Sequence, residues 1–211
     1  MKTFISDNPF CAASAAVADY LKKNGRVRLV LDPDARLVGF YSELGNTLRA
    51  RETDSSSVIP TLLYNLPESA DRVCRNIPEL TGIERERFTE PEHCREDSPT
   101  LTVLAVGPKA QLGLNDVAAP FSSACRTTDL TDSLKKHFFS EPPSASVPGC
   151  TLGIRDILDS DKLIVIASGE EQAEAVFGML YARTDSTVPA AFLQLSDDVD
   201  IFLDGGASSK L

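Results

Sequence analysis

The sequence predicts a mainly parallel α/β sheet packed between helices, and three observations carry that prediction. Short runs rich in leucine and β-branched residues recur along the chain, at Arg26–Leu31, Val58–Tyr64, Leu101–Val106, Leu163–Ala167 and Ile201–Leu203. They read as continuous rather than alternating, the mark of strands buried on both faces. Between them lie stretches with apolar residues at helical spacing, and strands alternating with helices give a parallel sheet. Most runs stop at a strong turn signal, such as Asp32-Pro33, Gly107-Pro108, Gly169 or Gly205-Gly206.

The elements follow in order. Ala12, Ala16 and Tyr20, with Val17 and Leu21 beside them, put one apolar face on a helix from Asn8 to Lys23, capped by Asp7 or Asn8 and ended by Asn24-Gly25. After the first strand, Leu37, Phe40, Tyr41 and Leu44 share a helical face. The second run is followed by Pro67 and a helical stretch through Asn76, and the fourth by Gly169 and a helix from Glu170 to Tyr181. Ser140–Gly149, with three prolines, reads as a connection within one domain because the strand pattern resumes directly. A length of 211 residues suits a single domain over 1–211. Ligands of such sheets gather at the carboxyl ends of strands. That singles out the loops Asp32–Arg36, Tyr64–Leu66, Gly107–Asp116 and Ser168–Gln172.

Composition narrows the function classes. Hydrophobic residues at 42% and charged residues at 25% are ordinary globular usage. With 21 basic against 31 acidic residues the net charge is −10, which argues against nucleic acid or an anionic membrane surface as partner. No run approaches the roughly 18 apolar residues of a membrane helix, and the amino terminus lacks a signal-peptide core, so an unprocessed, cytoplasmic chain is expected. Five scattered cysteines, Cys11, Cys74, Cys94, Cys125 and Cys150, form no metal or redox motif; reduced thiols are expected, with no metal and no cofactor. The last three residues, Ser209-Lys210-Leu211, match a peroxisomal address in a eukaryote and would carry no meaning in a bacterium.

The carboxyl third is more specific. Thr151-Leu152-Gly153-Ile154, Ile157-Leu158-Asp159, Leu163–Ile166 with Gly169, and Pro189-Ala190-Ala191-Phe192-Leu193-Gln194-Leu195 resemble, in order and spacing, the glucosamine-6-phosphate deaminase/isomerase family, which is related to 6-phosphogluconolactonases. The likeness extends upstream through Arg28–Leu44, Pro67-Glu68-Ser69 with Arg75-Asn76, and Leu101–Asp116. The resemblance implies a doubly wound, Rossmann-like sheet with helices on both faces and a sugar-phosphate site at its carboxyl edge.

The motifs that carry the family's chemistry are altered. Its first loop, P-T-G-G-T-P, cradles a phosphate on backbone amides; the aligned residues are Asp32-Pro33-Asp34-Ala35-Arg36-Leu37. Two carboxylates there repel phosphate unless Arg36 turns inward. They either cap the following helix or hold a cationic, neutral or metal-bound ligand. The family's central loop, G-N-D-G-H-I-A-F-N-E, falls on Gly107–Asp116, so the ring-opening histidine is Gln111, which cannot shuttle a proton. Asn115 and Asp116 keep the final pair in conservative form and also suit a turn. The aspartate base of N-M-D-E-Y has no counterpart in Leu62–Pro67. The family's phosphate lysine falls on Gln172, behind Glu170 and Glu171, and its arginine on His137, in the cluster Lys135-Lys136-His137. That cluster reads either as a solvated helix face or as the remaining positive site. His93 beside Cys94 reads as part of a charged surface segment.

Three functions compete. One is a catalytically degenerate homologue that binds a small sugar, sugar phosphate or other ligand, with Asp32, Asp34, Arg36, Asn115 and Gln172 as its contacts. Another is an active isomerase, deaminase or lactonase-like hydrolase with a rearranged site that uses Asp32, Asp34, Asp116 or His137, the candidate catalytic positions being Gln111, Asp116 and His137. The last is an interaction module with a protein partner or a second copy of itself.

Overall fold

A computed structural model describes residues 1–67, 76–91 and 98–211. The expected helix through 68–75, the Glu68–Arg75 part of the family likeness, and His93 with Cys94 lie outside the described residues. The elements are β1 (Lys2–Ile5), α1 (Pro9–Asn24), β2 (Val27–Leu31), α2 (Val38–Ala50), β3 (Val58–Leu62), β4 (Tyr64–Asn65), α3 (Ile77–Thr81), β5 (Thr100–Ala105), β6 (Arg126–Asp129), α4 (Asp132–Phe138), β7 (Pro148–Thr151), α5 (Ile154–Leu158), β8 (Lys162–Ala167), α6 (Ala173–Tyr181) and β9 (Val199–Leu203).

Six strands form an all-parallel sheet in the order β1-β9-β8-β5-β2-β3. Every residue of β2 and of β8 is buried, and the side chains divide between two cores. Val27, Leu29 and Leu31 of β2, Leu101, Val103 and Ala105 of β5 and Ile164 and Ile166 of β8 pack with α1 and α2. Val30, Leu104, Leu163, Val165 and Ala167 point the other way, toward α5, α6 and Leu134 of α4. Period-two projection into two apolar layers explains why these strands read as continuous apolar runs.

The order also locates a crevice. From β2 the chain moves outward to β3, then returns to lay β5 on the other side of β2, so the connections diverge between β2 and β5. Open α/β sheets bind ligands at such a switch point.

Several elements differ from the sequence reading. Residues Glu170–Gln172 form a 3-10 turn, and the α-helix starts only at Ala173. The edge strand β1 escaped notice because all four of its residues are exposed, and the antiparallel sheet β4-β7-β6 because its strands are short and mixed. Pro189–Leu195 is a 3-10 segment, buried through Leu193 and exposed at Leu195.

Gly45 lets α2 approach α3 closely: a Cβ there would collide with the Leu80 carbonyl oxygen, which is backbone and cannot swing aside. Overpacking of this kind costs on the order of 1–3 kcal/mol. Gly45→Ala is therefore expected to lower stability by about 2 kcal/mol, read as a reduced urea midpoint at unchanged m-value.

Candidate functional site

Each wall of the crevice starts at a strand end. Leu31 closes β2 in the core, so Asp32 emerges at the sheet's carboxyl edge while still buried, 2% exposed. One carboxylate oxygen accepts the Ala105 amide of β5 at 3.0 Å, tying the two diverging strands together. The other is buried with no hydrogen-bond partner among the described residues. Burial, followed by the charge of Asp34, pushes the Asp32 carboxyl up to about 8, against the pull of the Ala105 amide and Arg36. At neutral pH this carboxyl is mostly protonated.

Two residues on, Asp34 caps the 3-10 turn Ala35–Leu37 through the Arg36 amide at 2.9 Å. It also grips the Arg36 guanidinium with both oxygens, at 2.7 Å to Nε and 2.6 Å to Nη2. Asp34 thus caps the turn, and the Arg36 side chain turns inward onto it. Arg36 Nη1 reaches the Val106 carbonyl beyond β5 and Gln172 Oε1 at 3.0 Å. From α4, His137 Nε2 meets the Asp34 Oδ2 atom at 2.8 Å. Burial works against the Asp34 carboxylate, but the bonds from Arg36 and His137 outweigh it and hold the group well below the usual carboxylate range. Burial likewise opposes the Arg36 charge, and its bond to Asp34 overcomes that.

Lys135-Lys136-His137 is not one solvated face. Lys135 is buried with Nζ on the Ala145 carbonyl at 2.8 Å, His137 turns into the crevice, and only Lys136 is exposed. A turn earlier on the same helix, Ser133 accepts Gln111 Nε2 at 3.2 Å, while Gln111 Oε1 takes the Lys109 amide at 2.8 Å. Both ends of the Gln111 amide are thereby fixed in the crevice wall. Ser133 carried no signal beyond its i, i+4 spacing to His137. Tyr64, buried, is tilted against Phe138 at 5.6 Å behind this wall.

Asn115 and Asp116 lie outside the crevice lining. The Asn115 amide donates to the Leu112 and Leu152 carbonyls at 2.9 and 2.8 Å. Asp116 accepts the Val117 amide at 2.8 Å and the Thr131 hydroxyl. Among the described residues, no group of three or more His, Cys, Asp or Glu side chains is placed to hold a metal ion. The space left between Asp32, Asp34, Arg36, Gln111 and His137 is only about 10 Å³, roughly the room one water needs.

Ala110 stands in the central loop at φ +56°, a left-handed conformation that costs a residue with a Cβ on the order of 1 kcal/mol. Its carbonyl takes the Ala190 amide at 2.8 Å and its amide bonds Gly107 O at 2.7 Å, so tertiary contacts hold the turn. Ala110→Gly is expected to raise stability by about 1 kcal/mol in urea unfolding. For Asp32, the folded value near 8 lies above the ordinary value of about 3.9. Between those values the folded state keeps a proton that the unfolded chain releases, so stability falls as pH rises through the window. The Asp34 contribution has the opposite sign: it is present above the ordinary carboxylate value and lost as pH falls through the acid range. Asp32→Asn keeps an acceptor for the Ala105 amide, so its stability relative to the unaltered chain should grow by a few kcal/mol from about pH 4 to pH 8. Parallel urea titrations across that range check the slope.

No family model matches the chain. It is 34% identical to a glucosamine-6-phosphate deaminase of Clostridioides difficile over 87% of this chain and 88% of that protein. It is 32% identical to one from Clostridium botulinum over 82% and 81%. A Streptococcus thermophilus deaminase matches at 34% over 53% of this chain, a stretch that spans 49% of that protein. Among solved structures, a monomeric glucosamine-6-phosphate deaminase superposes with TM-score 0.86 at 20% identity, covering 100% of both chains. A 6-phosphogluconolactonase from Leishmania guyanensis gives 0.71 at 15%, covering 100% of this chain and 98% of that one. At those identities the structures speak for the fold: the same mainly parallel α/β sheet. The sequence likeness over four-fifths and more of two curated relatives says more, and by it the chain belongs to the glucosamine-6-phosphate deaminase family.

Proposed function

We propose that residues 1–211 form a single domain of carbohydrate metabolism that has lost deaminase turnover and serves as a small-ligand binding or regulatory protein. The observation that carries this reading is the cluster in which Arg36 and His137 both bond Asp34, which occupies the crevice at the switch point and leaves about 10 Å³. That space is far smaller than a sugar, so binding one requires side chains of the cluster to move. Two substituted positions support the same reading. Gln111, in the crevice wall, stands where the family resemblance puts a proton-handling histidine, and Gln172, bonded to Arg36, where it puts a phosphate-binding lysine. Each acid–base group supplies on the order of 10²- to 10⁴-fold, and Gln111 has its amide committed at both ends.

A second reading rests on a different feature of the same cluster. The 2.8 Å contact from Asp34 to His137 is the arrangement by which a carboxylate orients a histidine for proton transfer. Beside it Asp32 holds a proton near neutrality. A lactonase-like hydrolase with His137 as general base fits that pair.

Incubation with glucosamine 6-phosphate, followed by fructose 6-phosphate and ammonia assays, is expected to show no turnover above a Gln111→Ala control. Clear turnover above that control would overturn the binding reading. A panel of sugar lactones tests the hydrolase: under the binding reading none is opened faster by the unaltered protein than by His137→Ala. A rate that falls about 100-fold or more in both His137→Ala and Asp34→Asn would replace the first reading by the second.

A further inference from the structure

Two cysteines that the site does not use lie against each other in the small sheet. Cys125 immediately precedes β6, and Cys150 sits in β7, where it pairs with Thr127; their sulfur atoms are 4.0 Å apart. Closing that gap by about 2 Å reaches disulfide length. Two residues before Cys125, Ser123 O accepts the Arg155 amide at 3.0 Å and Ser123 Oγ the Ile154 amide at 3.0 Å, and the Cys150 amide is held by Asn65 Oδ1 at 3.1 Å. Cys125 is half-exposed and Cys150 buried. Beside Cys150 opens a surface depression of about 340 Å³, walled by Asn65, Leu66 and Thr127.

The chain between the two cysteines is the excursion that carries Ser133 and His137. It leaves through β6, forms α4 and returns through β7. We propose that Cys125 and Cys150 are a reversible dithiol–disulfide site, oxidised by small peroxides, whose closure clasps this excursion at its base. The accessible Cys125 thiolate attacks a peroxide oxygen; the O–O bond breaks, Cys125 becomes a sulfenic acid, and hydroxide leaves to be protonated to water. The Cys150 thiolate then attacks Cys125 Sγ, the S–O bond breaks, and a second water departs. The two sulfurs are oxidised by two electrons in all and one peroxide is reduced. A dithiol reductant reverses the bond by thiol exchange. The site is independent of the ligand-binding reading, because it requires only that α4 be tied into the crevice wall.

The test is peroxide titration of the unaltered chain with peptide mapping, alongside a Cys11→Ser, Cys74→Ser, Cys94→Ser variant that keeps only the pair. The expected result is a loss of about 2 Da that dithiothreitol reverses, a cross-linked peptide joining Cys125 to Cys150, and no such product in Cys125→Ser. Amide exchange across α4 should slow about tenfold on oxidation. Accumulation of sulfinic or sulfonic acid on Cys125 while Cys150 remains alkylatable would overturn the site. A disulfide that forms without slowing α4 exchange would overturn the clasp. If the triple variant does not fold, mapping in the unaltered chain decides.

Discussion

The Arg36 guanidinium holds the carboxyl edge of the sheet together. It ties its own loop after β2, through Asp34, to the Val106 carbonyl after β5 and to Gln172 after β8. Through the shared Asp34 carboxylate it is coupled to His137 on α4. Four segments far apart in sequence thus converge on one charge. A buried ion pair is a weak source of net stability, because desolvation consumes much of the Coulombic gain. Removing one partner, however, leaves an uncompensated charge, so the cluster fixes one arrangement of the crevice even where it adds little free energy.

Asp32 shows the cost of that arrangement. It lies beside the Asp34 charge, has one oxygen without a partner among the described residues, and holds its proton near neutrality. Its other oxygen braces β5 against β2. Ala110 is a second local conflict, a non-glycine residue in a left-handed turn kept by the Ala190 amide and the Gly107 carbonyl. Conflicts of this kind concentrate where a fold departs from its own local preferences at a site. Here they sit in the loops that follow β2 and β5.

Much of the fold was legible in the residues. Runs such as Leu163–Ala167, alternating with helical stretches, point to strands buried on two faces, and the spacing of Phe40, Tyr41 and Leu44 fits a helix face. The family motifs added the loop positions where Asp34, Gln111 and His137 then met. What escaped was set by non-local pairing. β1 has no buried residue to create a pattern, and it is a strand because β9 supplies its hydrogen bonds. The run Lys135-Lys136-His137 looked like one charged face, yet its members have three different fates because a helix turns 100° per residue against a curved surface.

What the sequence determined by itself is the layering: burial of apolar side chains is nearly additive along the chain, and periodicity records it. It also determined which chemical groups stand in the loops after the strands. Only the tertiary structure decided what those groups do. The direction of Arg36, the pairing of Asp34 with His137 and the retained proton of Asp32 each depend on charges and dielectric supplied by residues tens of positions away. Electrostatic energy belongs to distances in space, and those exist only once the sheet has brought its strand ends together.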